Sequence, residues 1–176
     1  MLKDFNPVLG ILLRFIIIYL VLLFAYQFYL NSFQTQGLDP YSRMITDHVM
    51  WIQNLFNYPT DLYDDVFNEQ VYYYMDKRPI TRMVEGCNAI SVIILFVSFI
   101  FAFYKGTKTF VFVAVSLLAL YVMNVLRIVG LNIVTKDHPD YSKFTHDYLF
   151  PAVIYGSVVL LWLVWIKFFA LKNENS

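Results

Sequence analysis

The sequence contains one cysteine, Cys87, whose thiol is the strongest candidate for covalent chemistry. A sole thiol cannot form an internal disulfide or a Cys-x-x-Cys redox pair, so its remaining uses are nucleophile or packing residue. A cationic neighbour raises the thiolate fraction of a cysteine, and the thiolate is the species that attacks a carbonyl. Free cysteine also packs as a small hydrophobe, so both uses remain open for the residue by itself.

A second candidate, Arg127, lies inside a long apolar run. An arginine at the centre of a membrane span costs about 2.5 to 3.5 kcal/mol on insertion scales, which usually indicates a function. Asn124, three residues earlier, shares its helical face and extends a polar seam. The guanidinium keeps its proton, so it suits the stabilisation of an anion better than proton transfer. The alternative is an arginine that snorkels near a helix end.

The histidines give a weaker signal, because His146 and His138 stand in the same short loop and either one fits a catalytic role. His48 lies elsewhere, in a predicted surface helix. The sequence has no paired Cys or His spacing typical of zinc, no Gly-x-Ser-x-Gly elbow and no phosphate-binding glycine loop. We therefore expect neither a metal nor a cofactor.

The composition predicts an integral membrane protein, because 59% of the residues are hydrophobic and 19% are aromatic. Four apolar stretches are long enough to cross a bilayer: 9–30, 88–104, 110–134 and 148–171. We expect the first to stay attached, since its apolar run is longer than that of a signal peptide. The predicted fold is all-α, a four-transmembrane-helix bundle forming a single membrane domain over 1–176. A net charge of zero gives no reason to expect nucleic acid as a partner.

The segment 31–86 is too long for a simple connector and is predicted to contain an amphipathic helix. Asp39 and Pro40 are typical of an N-cap and a first helical residue. Apolar residues then recur at helical spacing, at Ile45, Val49, Ile52 and Phe56. This stripe fits a helix on the outer membrane face, or equally one that packs on the bundle. The rest of the segment, rich in Tyr and Asp, is interpreted as a cap over the mouth of the bundle.

Flanking charges favour both termini in the cytoplasm. The basic residues placed inside fall in three very short segments, at Lys3, Arg14, Lys105, Lys108, Lys167 and Lys172. As many lie outside, but they are spread over two longer loops, at Arg43, Lys77, Arg78, Arg82, Lys136 and Lys143. In this topology Cys87 begins the second span, Arg127 lies just inside the end of the third, and His146 precedes the fourth. All three residues then lie near the outer surface.

Three sequence blocks in this order resemble the exosortase and archaeosortase family, and the chain length is similar to the short exosortase F type. The blocks are Glu85-Gly86-Cys87-Asn88-Ala89-Ile90, then Asn124-Val125-Leu126-Arg127-Ile128, and then His146. Many members have glycine two residues after the cysteine, where this chain has Ala89.

The resemblance implies a membrane cysteine transpeptidase or protease of the plasma (inner) membrane that cleaves the C-terminal sorting signals of exported proteins on the outer face. It assigns Cys87 as nucleophile, Arg127 as support for the thiolate or oxyanion, and His146 as the residue that completes the set. The implied partners are the C-terminal tails of exported proteins and the lipid bilayer, and the resemblance leaves room for a further membrane protein as partner.

A noncatalytic membrane subunit or assembly factor for a secretion or surface-attachment system is the alternative function. In that case Arg127 and Asn124 form an interhelical polar clamp, and Cys87 tolerates replacement by alanine. A thiol oxidoreductase is excluded unless a partner supplies the second cysteine.

Overall fold

The computed structural model describes residues 2–34 and 36–170, with side chains described from 8 onward and up to 169. The predicted end of the last span at Leu171, and Lys172 of the charge argument, lie outside the described residues. So does the side chain of Lys3.

Six α-helices form most of the described chain, in agreement with the predicted all-α membrane class. They are α1 (Leu2–Asn31), α2 (Pro40–Leu55), α3 (Ile90–Ala102), α4 (Thr107–Asp137), α5 (Pro139–Phe144) and α6 (Phe150–Trp165). Five-residue π-helical turns, Thr145–Leu149 and Ile166–Ala170, precede and follow α6.

Three of the four predicted spans are helices long and apolar enough to cross a membrane: Val8–Asn31, Thr107–Asp137 and Pro139–Phe169. The remaining predicted span, 88–104, corresponds to α3, which has only 13 residues and is about 20 Å long at 1.5 Å per residue. It is therefore shorter than the predicted span 88–104 and shorter than a bilayer core of about 30 Å. The protein is multi-pass, while its orientation in the membrane stays a prediction.

The described chain divides into two compact units. The first comprises the described residues of 1–28, 90–120 and 155–176, and the second comprises those of 29–89 and 121–154. The apolar core of the first unit is formed by Phe96, Ile100, Val113, Leu120, Val158 and Trp165. The second unit contains all three residues predicted as catalytic. Whether the two units act as a single membrane domain stays a prediction.

Helix α2 begins where the sequence predicts. The Asp39 carboxylate accepts hydrogen bonds from the backbone N–H groups of Tyr41 and Ser42, both at 3.1 Å, and Pro40 opens the helix. Ile45 and Val49 of the apolar stripe are completely buried in the core of the second unit, together with residues of α4. The packing alternative is therefore the one observed for these two residues.

A three-stranded antiparallel sheet follows α2 and was not predicted from the sequence. Its strands are β1 (Thr60–Asp65), β2 (Gln70–Met75) and β3 (Arg78–Met83), in the order β1-β2-β3. One bulge interrupts the pairing of β2 with β3, because Tyr73 lies opposite Thr81 while Tyr74 lies opposite Pro79. Two tight connections join the strands, with Glu69, Asp76 and Lys77 at positive φ.

The sheet is held to α4 by apolar and polar contacts within the second unit. Val71, Tyr73 and Met83 share one buried core with Val125, Ile128 and Val129. Thr81 donates a hydrogen bond to the Oδ1 of Asn132, whose Nδ2 donates to Gln53 of α2 at 3.4 Å. Asn132 and Gln53 are completely buried, so this polar chain fixes the register of α2 and β3 on α4.

Candidate functional site

Cys87 lies in a short 3₁₀ turn, Glu85–Cys87, between the end of β3 and the start of α3. We call it the Cys87 turn. The Cys87 N–H donates to the carbonyl of Val84 at 2.9 Å. The thiol is free and half-buried, packing on one side against the core of the second unit. The side chain is thus held by the core without being enclosed by it.

A cavity of about 470 Å³ opens beside the thiol. We call it the Cys87 cavity; its walls come from β3, the Cys87 turn, α4, α5 and the π-helical turn, at Thr81, Arg82, Cys87, Leu131, Pro139, Ser142, Lys143, His146 and Asp147. Its volume lies in the range of ligand-binding clefts. The structure therefore brings Cys87 and His146 to one cavity, although they lie 59 positions apart in the chain.

His146 has a carboxylate partner that the sequence did not indicate. Its Nδ1 lies 2.8 Å from Oδ1 of Asp147, and both residues line the Cys87 cavity. Adjacent residues of an ordinary helix do not face each other, so the pair gives no signal in the sequence. The π-helical turn Thr145–Leu149, a feature often found at functional sites, carries both side chains.

The other two histidines lie elsewhere in the second unit. His138 is the exposed residue that precedes α5, where its ring meets the Tyr141 ring edge-on at 6.4 Å. His48 contacts the Tyr121 hydroxyl at 2.6 Å and lines a separate apolar cavity. Of the three histidines, His146 is the one found among the described residues that line the Cys87 cavity. This position favours His146 over His138 as the candidate for the catalytic role.

Arg127 reaches Cys87 through Asn124. Its Nη1 donates to Oδ1 of Asn124 at 3.2 Å, and Nδ2 of Asn124 donates to the backbone carbonyl of Cys87 at 3.2 Å. Asn124 is 1% exposed, so this connection is protected from water. Arg127 is not among the residues that form the cavity wall. Its buried Nε–H has no hydrogen-bond partner in the described part of the chain.

Charged groups of both signs lie in the Cys87 cavity and on the Cys87 turn. Arg82, Lys143 and Asp147 all line the cavity. On the Cys87 turn itself, burial raises the pKa of the Glu85 carboxyl above its ordinary value, and the negative charges of Asp39 and Glu69 raise it further. Ionised Glu85 is therefore disfavoured in the folded protein relative to an exposed glutamate.

Two further residues near Cys87 are notable: Tyr73 is buried, and Ala89 has a strained backbone conformation. Burial also raises the pKa of the Tyr73 hydroxyl, so this completely buried phenol stays neutral. Ala89 follows the Cys87 turn with φ of +61°, in the left-handed region that favours glycine. Ala89 occupies the position where many members of the resembled family have glycine, and the backbone conformation gives a physical reason for that glycine.

Comparison with known proteins identifies one family. The model of the family described as Transmembrane exosortase (Exosortase_EpsH) matches residues 8–169 of the chain. No curated protein and no solved structure matches it. The matched region includes every residue of the Cys87 cavity, Asn124 and Arg127.

Proposed function

The chain belongs to the transmembrane exosortase family, and from that premise we propose that it is a membrane cysteine transpeptidase or protease that cleaves C-terminal sorting signals of exported proteins. One observation carries the proposal: the only thiol of the chain and a histidine paired with a carboxylate line the same cavity. A nucleophile, a base and a residue that orients the base form the arrangement used for acyl transfer.

The proposed reaction begins with proton transfer from the Cys87 thiol to Nε2 of His146. Asp147 accepts a hydrogen bond from the Nδ1–H of His146, which leaves Nε2 as the acceptor. The Cys87 thiolate then attacks the scissile carbonyl carbon and forms a tetrahedral oxyanion. When this intermediate collapses, the C–N bond breaks, His146 returns its proton to the leaving amine, and an acyl thioester remains on Cys87.

An amine or water resolves the thioester in the second half of the reaction. His146 takes a proton from the incoming nucleophile as it attacks the thioester carbonyl, and the Cys87 sulfur leaves and regains its proton. Transfer to an amine gives a transpeptidase, and transfer to water gives a protease. The two outcomes share the same groups in the site.

Arg127 supports this chemistry from behind the Cys87 turn. Asn124 ties its guanidinium to the carbonyl of Cys87, which fixes the turn that carries the thiol. Its permanent positive charge also favours the thiolate and the oxyanion, and such electrostatic stabilisation is usually the largest catalytic term. We therefore assign Arg127 a positioning and electrostatic role, with Asn124 as the connecting residue.

The proposed location is the plasma membrane, with both termini in the cytoplasm and the Cys87 cavity open to the outer side. This orientation agrees with the flanking charges and with substrates that have already been exported. The substrate tail is held beside the protein by its own apolar helix and presents its peptide bond outside the bilayer.

The test is a processing assay in cells that carry single substitutions. We expect Cys87→Ala and Cys87→Ser to abolish conversion of exported precursors, measured as a shift in precursor mass. His146→Ala should lower the rate about 100-fold or more, the scale of general acid–base catalysis. His138→Ala is the matched control, since this exposed histidine stands in the same segment outside the cavity wall.

Normal processing in the Cys87→Ala strain would refute the proposed enzymatic function and leave the alternative of a noncatalytic membrane subunit. The chain from Arg127 through Asn124 to the Cys87 carbonyl would then be a structural clamp. Loss of processing in His138→Ala with retention in His146→Ala would reassign the base.

A further inference from the structure

One edge of the sheet leads directly to the nucleophile. Strand β3 pairs with β2 along one side, and in the described part of the chain no backbone hydrogen bond joins its other side to another element. From Met83 the chain continues through the extended residue Val84 into the Cys87 turn. A strand edge of this kind offers a row of unpaired N–H and C=O groups to another chain.

The Cys87 cavity meets β3 at this edge rather than over one face of the sheet. Successive side chains of a strand point to opposite faces, yet the consecutive residues Thr81 and Arg82 both line the cavity. Thr81 contacts Asn132 of α4 on the core side, and Arg82 donates to Gln70 at 3.4 Å on the other side. A cavity reached by both residues must therefore lie beside the strand, next to its backbone.

The sequence restricts where this edge can pair. Pro79 has no N–H, and Ile80 is the extra residue of the bulge, so the first half of β3 is a poor template for another strand. The remaining residues, from Thr81 onward, are those nearest to Cys87.

We propose that an extended peptide binds as a fourth strand on the edge of β3 between Thr81 and Val84, and that this pairing places its peptide bond at the Cys87 thiol. The proposal rests on the proposed function and adds the way in which the substrate is bound. Main-chain hydrogen bonds supply the affinity in such β-strand addition, and alternate side chains enter pockets.

The occupant is a peptide segment because of what surrounds the edge. The edge is continuous with the cavity that holds the thiol, and a cysteine peptidase acts on extended backbone. Arg82 and Lys143 outnumber the single carboxylate of Asp147 on the cavity wall, so an acidic residue in the bound segment is favoured. A second copy of the chain paired through β3 would instead block the cavity that the reaction needs.

Disulfide tethering tests this pairing without requiring catalysis. The full chain in detergent micelles is equilibrated with acetyl-tetra-alanyl-cysteamine, presented as its mixed disulfide with 2-mercaptoethanol. Cys87 is the only thiol that can exchange. Intact-mass spectrometry then gives the 2-mercaptoethanol concentration at which half of Cys87 is modified. The positional isomers with one N-methylated amide share composition and hydropathy, so they partition equally into the micelle.

We expect the half-modification concentration to alternate between low and high values as the N-methyl group is moved along the peptide one amide at a time. Methylation of every second amide should lower it about 3- to 10-fold, the value of one backbone hydrogen bond, while methylation of the intervening amides should change it little. Arg82→Ala keeps its backbone N–H, so it should leave this alternation intact even if every isomer binds less tightly.

An equal response to all N-methyl positions, or no tethering beyond that of plain cysteamine disulfide, would overturn the proposal. So would a half-modification concentration that depends on protein concentration, because this would place a second copy on the edge. The exchange reads an equilibrium at the thiol, so these results do not depend on whether Cys87 is catalytic. The fate of the proposed function is decided separately by processing in the Cys87→Ala strain.

Discussion

Replacement of Asn124 by alanine tests the connection between the buried arginine and the nucleophile. The substitution removes two hydrogen bonds, one from Nη1 of Arg127 and one to the carbonyl of Cys87, each 3.2 Å long. The Arg127 guanidinium, inside a membrane span, then loses the Asn124 acceptor of its Nη1. Its Nε already has no acceptor among the described residues.

The expected loss of stability is about 2 to 3 kcal/mol. A hydrogen bond to a charged group contributes about 1.5 to 3 kcal/mol and a neutral one about 0.5 to 1.5 kcal/mol. Polar contacts between membrane helices average nearer 0.6 kcal/mol, which places the total toward the lower end of the sum. Processing should fall about 10-fold or more, because the Cys87 turn loses its anchor and small displacements of a nucleophile are costly.

Asn124→Asp separates the two functions of the side chain. The carboxylate still accepts from Arg127, so much of the stability should be retained. It has no N–H to donate to the Cys87 carbonyl, so processing should fall as it does in Asn124→Ala. The stability control is Leu120→Ala, a buried residue of the first unit whose truncation costs about 2 to 5 kcal/mol without touching the site.

The assays are denaturant unfolding in detergent and the processing rate in cells, with a double-mutant cycle that combines Asn124→Ala and Arg127→Ala. We expect a coupling free energy of about 1 to 2 kcal/mol between the two residues. Additive effects on unfolding, together with normal processing in Asn124→Asp, would refute the argument that Asn124 transmits the position of Arg127 to Cys87.

Three further changes follow from the same contacts. Asp147→Asn should lower processing about 10-fold and change its pH profile, because the partner of the base loses its charge, whereas exposed Asp140→Asn on α5 should leave both unchanged. Glu85→Gln should raise the melting temperature more at pH 7 than at pH 4. Because the pKa of Glu85 is raised in the folded protein, the stability contributed by its protonated form is fully present below its ordinary pKa of 4.5 and is lost as the pH rises through its pKa in the folded protein. An equal rise in melting temperature at both pH values would contradict this prediction. Ala89→Gly should leave stability unchanged or higher because it relieves a positive φ, while Ala119→Gly in the middle of α4 should cost about 1 kcal/mol; denaturant unfolding of both variants decides.

Part of the fold follows from local sequence. Runs of apolar residues long enough to span a bilayer must become helices, because backbone groups in hydrocarbon can find partners only within the segment. The helical regions within 9–30, 110–134 and 148–171 were therefore predictable. The start of α2 was predictable as well, since Asp39 and Pro40 act on the backbone next to them.

The three-stranded sheet was not predictable in the same way. Its Tyr- and Asp-rich strands lack clear alternation, and their pairing depends on the turns between them and on burial against α4. Strand propensity is strongly modified by such tertiary neighbours, so the sequence indicated only a cap over the bundle.

The residue types, rather than their contacts, made the candidate site visible in the sequence. An arginine inside a span has an insertion cost that can be recognised from the local sequence. A single thiol and a histidine beside a span are recognisable by their side-chain chemistry. Their partners could not be seen, because hydrogen bonds over distances of 37 residues, as from Asn124 to Cys87, depend on how the chain returns to itself. Only the tertiary structure placed His146, rather than His138, on the wall of the Cys87 cavity, set Asp147 beside it, and linked Arg127 to the Cys87 turn through Asn124.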